Sequence, residues 1–289
     1  MRGLKYSTYA VATVLLGHAI AFLLVRTLPD AAIVALGLEG ANAAAVAAFR
    51  ATQAPRDYLT ALGGILRLDL GTTLDGVSVT EELGLALRAS APRFFIALGA
   101  MVTAVALMAS YAPPLGKRGV RVAQFLAFVP PYVAPFVALG LVTSVTLQTG
   151  FYLGPGLLEV AIVMTLSLPV TALALGQAAG VMSRLLETHH ARTLLALGAG
   201  EAQQRRLLLP NLAHELLPSL QKISVALFGV LLFVEPIFGV SGLGTTALRA
   251  ARRTDTDLML GVVLIFATGT TVIALLGLVA RRRLERLGS

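Results

Sequence analysis

The sequence predicts an all-α, polytopic membrane protein with about six transmembrane helices. Three observations carry that prediction. The chain of 289 residues is 56% hydrophobic and only 13% charged, with a mean hydropathy of +0.81. Soluble domains carry about 25% charged residues, so this chain cannot cover a water-exposed surface and finds its solvent in a bilayer. Apolar runs of roughly twenty residues, the length that crosses the hydrocarbon core as a helix, recur from end to end. The basic residues stand mostly at the ends of these runs, where they anchor a helix on one side of a membrane.

The first run covers 9–28. Arg2 and Lys5 ahead of it imitate the start of a secretory signal, but the run exceeds the roughly 7–15 residues of a signal core and reads as a retained helix. An external loop is expected over 29–92, with its Ala-rich part at 42–54 helical. A core of five further spans is expected over 93–289. Those spans are placed at 94–112, 122–147, 157–181, 223–239 and 258–280, with a long cytoplasmic loop at 183–222. The third run holds Pro130, Pro131 and Pro135, each of which removes a backbone donor and bends the helix. Such bends serve either packing or a translocation path. The fourth run holds Gly176 and Gly180, a spacing that lets helices approach closely.

Orientation follows from the basic residues. With both termini in the cytoplasm, the inner segments hold Arg2, Lys5, Lys117, Arg118, Arg121, Arg184, Arg192, Arg205, Arg206, Lys222, Arg281, Arg282, Arg283 and Arg286. The long external loop carries Arg50, Arg56, Arg67, Arg88 and Arg93, but long loops follow the positive-inside rule poorly. The net charge of +8 is therefore spread over membrane flanks and forms no nucleic-acid-binding stripe.

No catalytic constellation is visible. The chain has no Cys, which excludes disulfides, Cys-ligated zinc and thiol nucleophiles. His18 falls inside the first run and reads as packed, although an ionisable group at that depth is always a functional candidate. His189 and His190 have no ligands at metal spacing, so neither a metal nor a cofactor is expected. No G-x-x-x-x-G-K-[ST] loop is present, so the chain does not bind and hydrolyse ATP by that route. Glu159 and Glu235 are expected at outer helix ends. Intramembrane carboxylates are thus scarce, which disfavours an ion- or proton-coupled carrier acting without an ATPase. That carrier remains the second reading, and a non-transporting membrane scaffold the third.

The loop at 183–222 is the sharpest feature. Leu194, Leu195 and Leu197, then Leu207, Leu208 and Leu209, alternate with polar residues, while Gly198 and Gly200 break the run into two short helices. The expectation is a helix–turn–helix outside the membrane with an apolar face, either docking on a partner or resting on lipid.

In this loop Arg192, Thr193, Ala196 and Gly198, followed by Leu216, Leu217 and Pro218, resemble the cytoplasmic loop of permease subunits of bacterial ABC importers. The specific likeness is to the dipeptide, oligopeptide and nickel family. Further marks recur in order: Leu28-Pro29-Asp30; Asp69-Leu70-Gly71-Thr72-Thr73; Val79-Thr80-Glu81; Val234-Glu235 with Ile237-Phe238; Ser241-Gly242-Leu243-Gly244; then Asp255 and Gly261. Departures include Leu194 for a small residue, Pro210 for a His, His214 for an Asn and Ser241 for a Pro.

The resemblance implies a non-enzymatic subunit of the bacterial inner membrane that imports peptides or a related solute such as nickel. It implies ABC ATPase subunits, a second homologous permease in a heterodimer, and a periplasmic or lipid-anchored solute-binding protein as partners, with membrane lipid and without nucleic acid. Arg192, Thr193, Ala196, Gly198, Glu201, Arg205 and Arg206 would couple to the ATPase. Glu201, Arg205 and Arg206 either pair with it or keep the loop solvated. Asp69, Gly71, Glu235, Gly242, Gly244 and Asp255 would lie on the side of the binding protein.

Overall fold

The architecture comes from a computed structural model that describes residues 2–27, 44, 57–111, 133–150 and 154–287. The described residues form α1 (Arg2–Val25), α2 (Tyr58–Arg67), α3 (Val79–Tyr111), α4 (Val133–Thr149), α5 (Pro155–Leu186), α6 (His189–Ala196), α7 (Glu201–Phe238), α8 (Leu243–Arg253) and α9 (Thr256–Leu287). No strand occurs among them; a single antiparallel bridge joins Thr72 and Ser78. The segments α3, α5, α7 and α9 are long and apolar enough to cross a membrane, and Tyr9–Val25 and Val133–Thr149 are shorter apolar helices. The chain is thus an all-α polytopic membrane protein. Pro29, Asp30, most of 42–54, Lys117, Pro130 and Pro131 fall outside the described residues.

Helix boundaries differ from the expectation in two places. α3 begins at Val79, where the sequence reading had an external loop running to 92. Glu81 and Glu82 in its first turn favour the positive end of the helix dipole, which explains a helical start among polar residues. α7 is a single helix of 38 residues. Its second half was expected as the fifth span and its first half as the separate outer helix of the loop. Pro210 and Pro218 lie inside it and do not end it. At 1.5 Å per residue it is about 57 Å long, well beyond the roughly 30 Å of a hydrocarbon core, so it projects from the bilayer.

The contacts divide the chain into two units, one of residues 1–91 and 239–272, the other of 92–238 and 273–289. In the second unit α7 packs on α4, α5 and α6. Ile162, Leu166, Val170, Ala174 and Ala178, each four residues after the last, are buried on α5 and form the i, i+4 row expected of a packed helix face. From α7 come Leu208, Leu212, Leu216, Ile223, Leu227, Leu231 and Val234. Phe94 closes on Phe228 edge-to-face at 5.5 Å between ring centres. Gly176 is also buried on this helix, but a Cβ at Gly180 would meet nothing within 4 Å among the described residues. The close approach expected at that glycine is therefore not made among the described residues.

In the first unit, Phe22 and Val25 of α1 cluster with Leu260 of α9 and with Tyr58 and Ala61 of α2. Gly261 admits a close crossing: a Cβ there would stand 2.5 Å from Leu83 Cδ1 and 2.9 Å from Val79 Cγ1. His18 is buried beside Tyr58, ring centres 6.0 Å apart.

Candidate functional site

Three groups of side chains stand out. The first is the turn between α6 and α7. Thr188 caps α6 by accepting from the Ala191 N–H at 3.4 Å and donates its hydroxyl to the Leu185 carbonyl at 2.6 Å. The helix ends at Gly198, which adopts φ +83°. Its N–H donates to the Leu195 carbonyl at 2.9 Å, and the Ala199 N–H donates to the Leu194 carbonyl at 3.0 Å. This paired closure needs a residue in the left-handed region, which glycine enters without steric cost. Gly200 then accepts from the Gln204 N–H at 2.9 Å, and the buried Gln204 side chain donates back to the Ala191 carbonyl at 2.8 Å. The turn is thus stapled to the start of α7.

Outward from this turn point Arg192, Thr193, Ala196 and Gly198, with Leu195 and Leu207 also exposed and Leu197 79% exposed. Arg206 is exposed, while Arg205 is turned inward and buried. Glu201 stands at the first position of α7. The result is a small protrusion whose apolar tip carries flanking positive charge.

The second group was not legible as a unit in the sequence. Arg93, expected in the external loop, sits inside α3 and is buried. Its Nε and Nη2 donate to the two oxygens of Glu159 on α5 at 2.9 and 2.6 Å, and its Nη1 donates to Glu235 on α7 at 3.0 Å. The bidentate fork on Glu159 is the geometry guanidinium favours with a carboxylate. Glu235 is 0% exposed, so it serves this buried triad and does not face outward. A signal for the triad did exist: Arg93 follows Pro92 at the edge of an apolar run, and both acids stand at helix ends on the same side. The sequence gives no rule for which of them meet.

The third group belongs to the first unit. Asp69 accepts from the Gly71 N–H at 3.1 Å. Thr80 spans the same turn, its hydroxyl donating to the Leu68 carbonyl at 2.7 Å. Gly71, at φ +101°, returns the chain so that its carbonyl accepts from the Val79 N–H at 3.0 Å. Asp255 caps α9 through the Leu258 N–H at 3.1 Å and also accepts from the Leu74 N–H at 2.9 Å. Arg253 grips Asp75 with both Nη atoms, at 2.5 and 2.9 Å, and Arg249 pairs with Glu82. Gly242 precedes α8, and Gly244 is buried in its first turn. The buried Ser90 hydroxyl accepts from the Leu243 N–H at 2.8 Å. Asp69, Gly71 and Asp255 are therefore scaffold positions of one clamp that holds the 69–78 turn onto α8 and α9, and Gly242 and Gly244 form the start of α8.

The Arg253 guanidinium holds the Asp75 carboxyl below the usual carboxylate range. A depressed value in the folded state contributes stability that is present above the ordinary value and lost as pH falls through the folded one. Acidification below the usual carboxylate range should therefore release the turn. The Gly76 N–H, which donates to the Thr73 carbonyl at 2.9 Å, should lose hydrogen-exchange protection there. Asp75→Asn should show that reduced protection already at neutral pH and without the acid dependence.

Among the described residues no group of three potential metal-ligating side chains gathers. What remains is a membrane bundle with an apolar-tipped, positively flanked protrusion at one turn and charges inside. A family model described as "Binding-protein-dependent transport system inner membrane component" matches residues 96–287. The chain belongs to this family. It is therefore a multi-pass inner-membrane permease component of binding-protein-dependent importers, a group that works with ABC ATPases and solute-binding proteins. The α6–α7 protrusion and the acids of the triad fall within the matched residues, while Arg93 and the 69–78 turn precede them. A comparison with curated proteins gives no match.

Proposed function

We propose that this permease forms one half of a translocation pathway for peptides or a related small solute such as nickel, paired with a second homologous permease as a heterodimer. The ordered motifs from Asp69 to Gly261 support the narrower cargo class by their resemblance to the dipeptide, oligopeptide and nickel permeases. Both termini lie in the cytoplasm in this reading. The 69–78 turn and α8 then face the solute-binding protein on the opposite side, and the α6–α7 protrusion meets the ATPase.

The observation that carries the coupling role is the exposed tip around Gly198, stapled by Gln204 to a helix that continues from Glu201 to Phe238. A push on Leu197, Thr193 or Arg192 is delivered to α7 as a rigid element. ATP-driven closure of two motor subunits would move two such tips together and switch access by rigid-body rotation, a ligand-biased two-state equilibrium. Arg206, exposed beside the tip, is the charge placed to pair with the motor, and the buried Arg205 positions the first turn of α7.

The test is purification of the full chain from its native membrane, followed by reconstitution. An ABC ATPase should co-purify, and its ATP hydrolysis should rise with the cognate binding protein loaded with peptide. Solute uptake by the chain alone, without ATP, would refute the reading in favour of an ion-coupled carrier.

A further inference from the structure

The helix α2 lies between the first two expected spans and has no part in the coupling or clamp described above. It packs one side only. Tyr58 meets Phe22 of α1 edge-on at 5.1 Å between ring centres, and Ala61 joins Phe22, Val25 and Leu260 in the same cluster. Ala61 and Ile65 also line a cavity of about 20 Å³ with His18, Leu70, Asp257 and Gly261.

These contacts give a depth. The apolar part of α1 ends at Val25, and the span of α9 starts at Thr256. At 1.5 Å per residue, His18 lies about 10 Å inside the first of these ends and Gly261 about 7 Å inside the second. The helix α2 therefore runs beside the last turns of the apolar part of α1 and the first turns of the span of α9. Amphipathic helices that lie in a membrane interface reach a depth of about 5–10 Å.

Its uncovered side has an apolar flank, next to the exposed Thr60 and Arg67. Leu59 is 74% exposed, Leu66 86% and Leu68 75%. Leu59 and Leu66, seven residues apart, share one helical face. By contrast α8, also amphipathic, turns Arg249, Arg252 and Arg253 outward. The polar groups of α2 sit at its ends: Asp57 caps it by accepting from the Thr60 N–H at 3.1 Å, and Arg67 occupies its last turn. The carbonyls of its last turn are also closed, since Leu68 at φ 58° donates to the Ile65 carbonyl at 3.2 Å and Asp69 donates to the Gly64 carbonyl at 2.9 Å. Lipid requires such internal closure of backbone groups.

We infer that α2 is an interfacial helix seated in one leaflet of the bilayer, the outer one in the proposed orientation, with lipid acyl chains as the partner of the face that bears Leu59 and Leu66. The exposed apolar surface of α1, with Leu16, Ile20, Leu23 and Leu24 outward, is continuous in kind with it. Tyr58 then works as the keel that holds α2 at its depth against Phe22.

The chain lacks Cys, so single cysteines can be placed without removing native ones. Leu59→Cys, Leu66→Cys and, as a comparison, Arg252→Cys are each nitroxide-labelled in the full chain reconstituted in proteoliposomes. Collision with dissolved oxygen, which concentrates in lipid, is compared with collision with a water-soluble nickel chelate. The labels at 59 and 66 should favour oxygen, and the label at 252 should favour the chelate, reversing the ratio. Chelate access at 59 and 66 would mean that this face meets water. Exclusion of both reagents there would mean that a protein covers it. Either result overturns the inference, and neither depends on cargo or motor.

Discussion

Replacing Arg93 by alanine should destabilise the second unit by about 3–5 kcal/mol, the cost of removing one partner from a buried ion pair. The size of the effect comes from Glu235, which is 0% exposed and would keep a carboxylate inside the bundle with its guanidinium partner gone. Most of the loss is the charge compensation withdrawn from that buried carboxylate, not the strength of the bond removed.

The other arm is weaker. The Glu159 side chain is 47% exposed, so water screens its pair with Arg93, and Glu159→Gln should cost about 1 kcal/mol or less. Glu235→Gln should fall between these, because a neutral amide still accepts from Nη1. The triple replacement Arg93→Met, Glu159→Gln, Glu235→Met removes the charges together and should recover most of the stability lost by Arg93→Ala, as apolar substitutes for buried ion pairs often do. Thermal unfolding of the purified variants in detergent reads this order. An Arg93→Ala chain as stable as the parent would show that the triad does not hold α3, α5 and α7 together.

A bulky residue at Gly198 should abolish solute uptake while leaving the fold in place. Gly198 has φ +83°, and a Cβ there meets nothing within 4 Å. Gly198→Trp therefore has room at its first side-chain atom among the described residues, and the backbone part of its cost is the roughly 1–2 kcal/mol of holding an L-residue in the left-handed region. Against a motor surface the same indole would stand in the contact. A loss of uptake of at least about tenfold, equivalent to roughly 1.4 kcal/mol of docking free energy, is expected, together with ATP hydrolysis that no longer responds to loaded binding protein. Gly198→Ala shares the backbone cost without the bulk and separates the two effects. Normal uptake by the tryptophan variant would remove the α6–α7 tip from the coupling mechanism.

The glycine turn itself was legible because its chemistry is local. Gly198 and Gly200 between two leucine-bearing runs predict a break, and the hydrogen bonds that close it join residues no more than five apart. The Asp69–Gly71 turn is readable for the same reason. Its attachment to Asp255 through the Leu74 N–H crosses most of the chain, and nothing near either residue announces it. The outer helix and the fifth span, expected as separate elements on either side of residue 222, are one helix with Pro218 inside it. A proline inside a long helix is tolerated where neighbours re-satisfy the freed carbonyl, and the leucines around it are buried on α5.

By itself the sequence determined the solvent, the helical class and the break at Gly198. Each of these follows from free energies summed over adjacent residues: transfer of an apolar run to lipid, backbone closure within a helix, and the freedom of glycine at positive φ. Only the tertiary structure decided that Arg93, Glu159 and Glu235 meet, that α7 is one rod from Glu201 to Phe238, and that Asp255 grips the 69–78 turn. Those facts depend on which helix faces which. In a bilayer every apolar face is equally at home against lipid, so hydrophobicity does not choose partners. The choice falls to close packing and to a few buried charges whose partners lie far away along the chain.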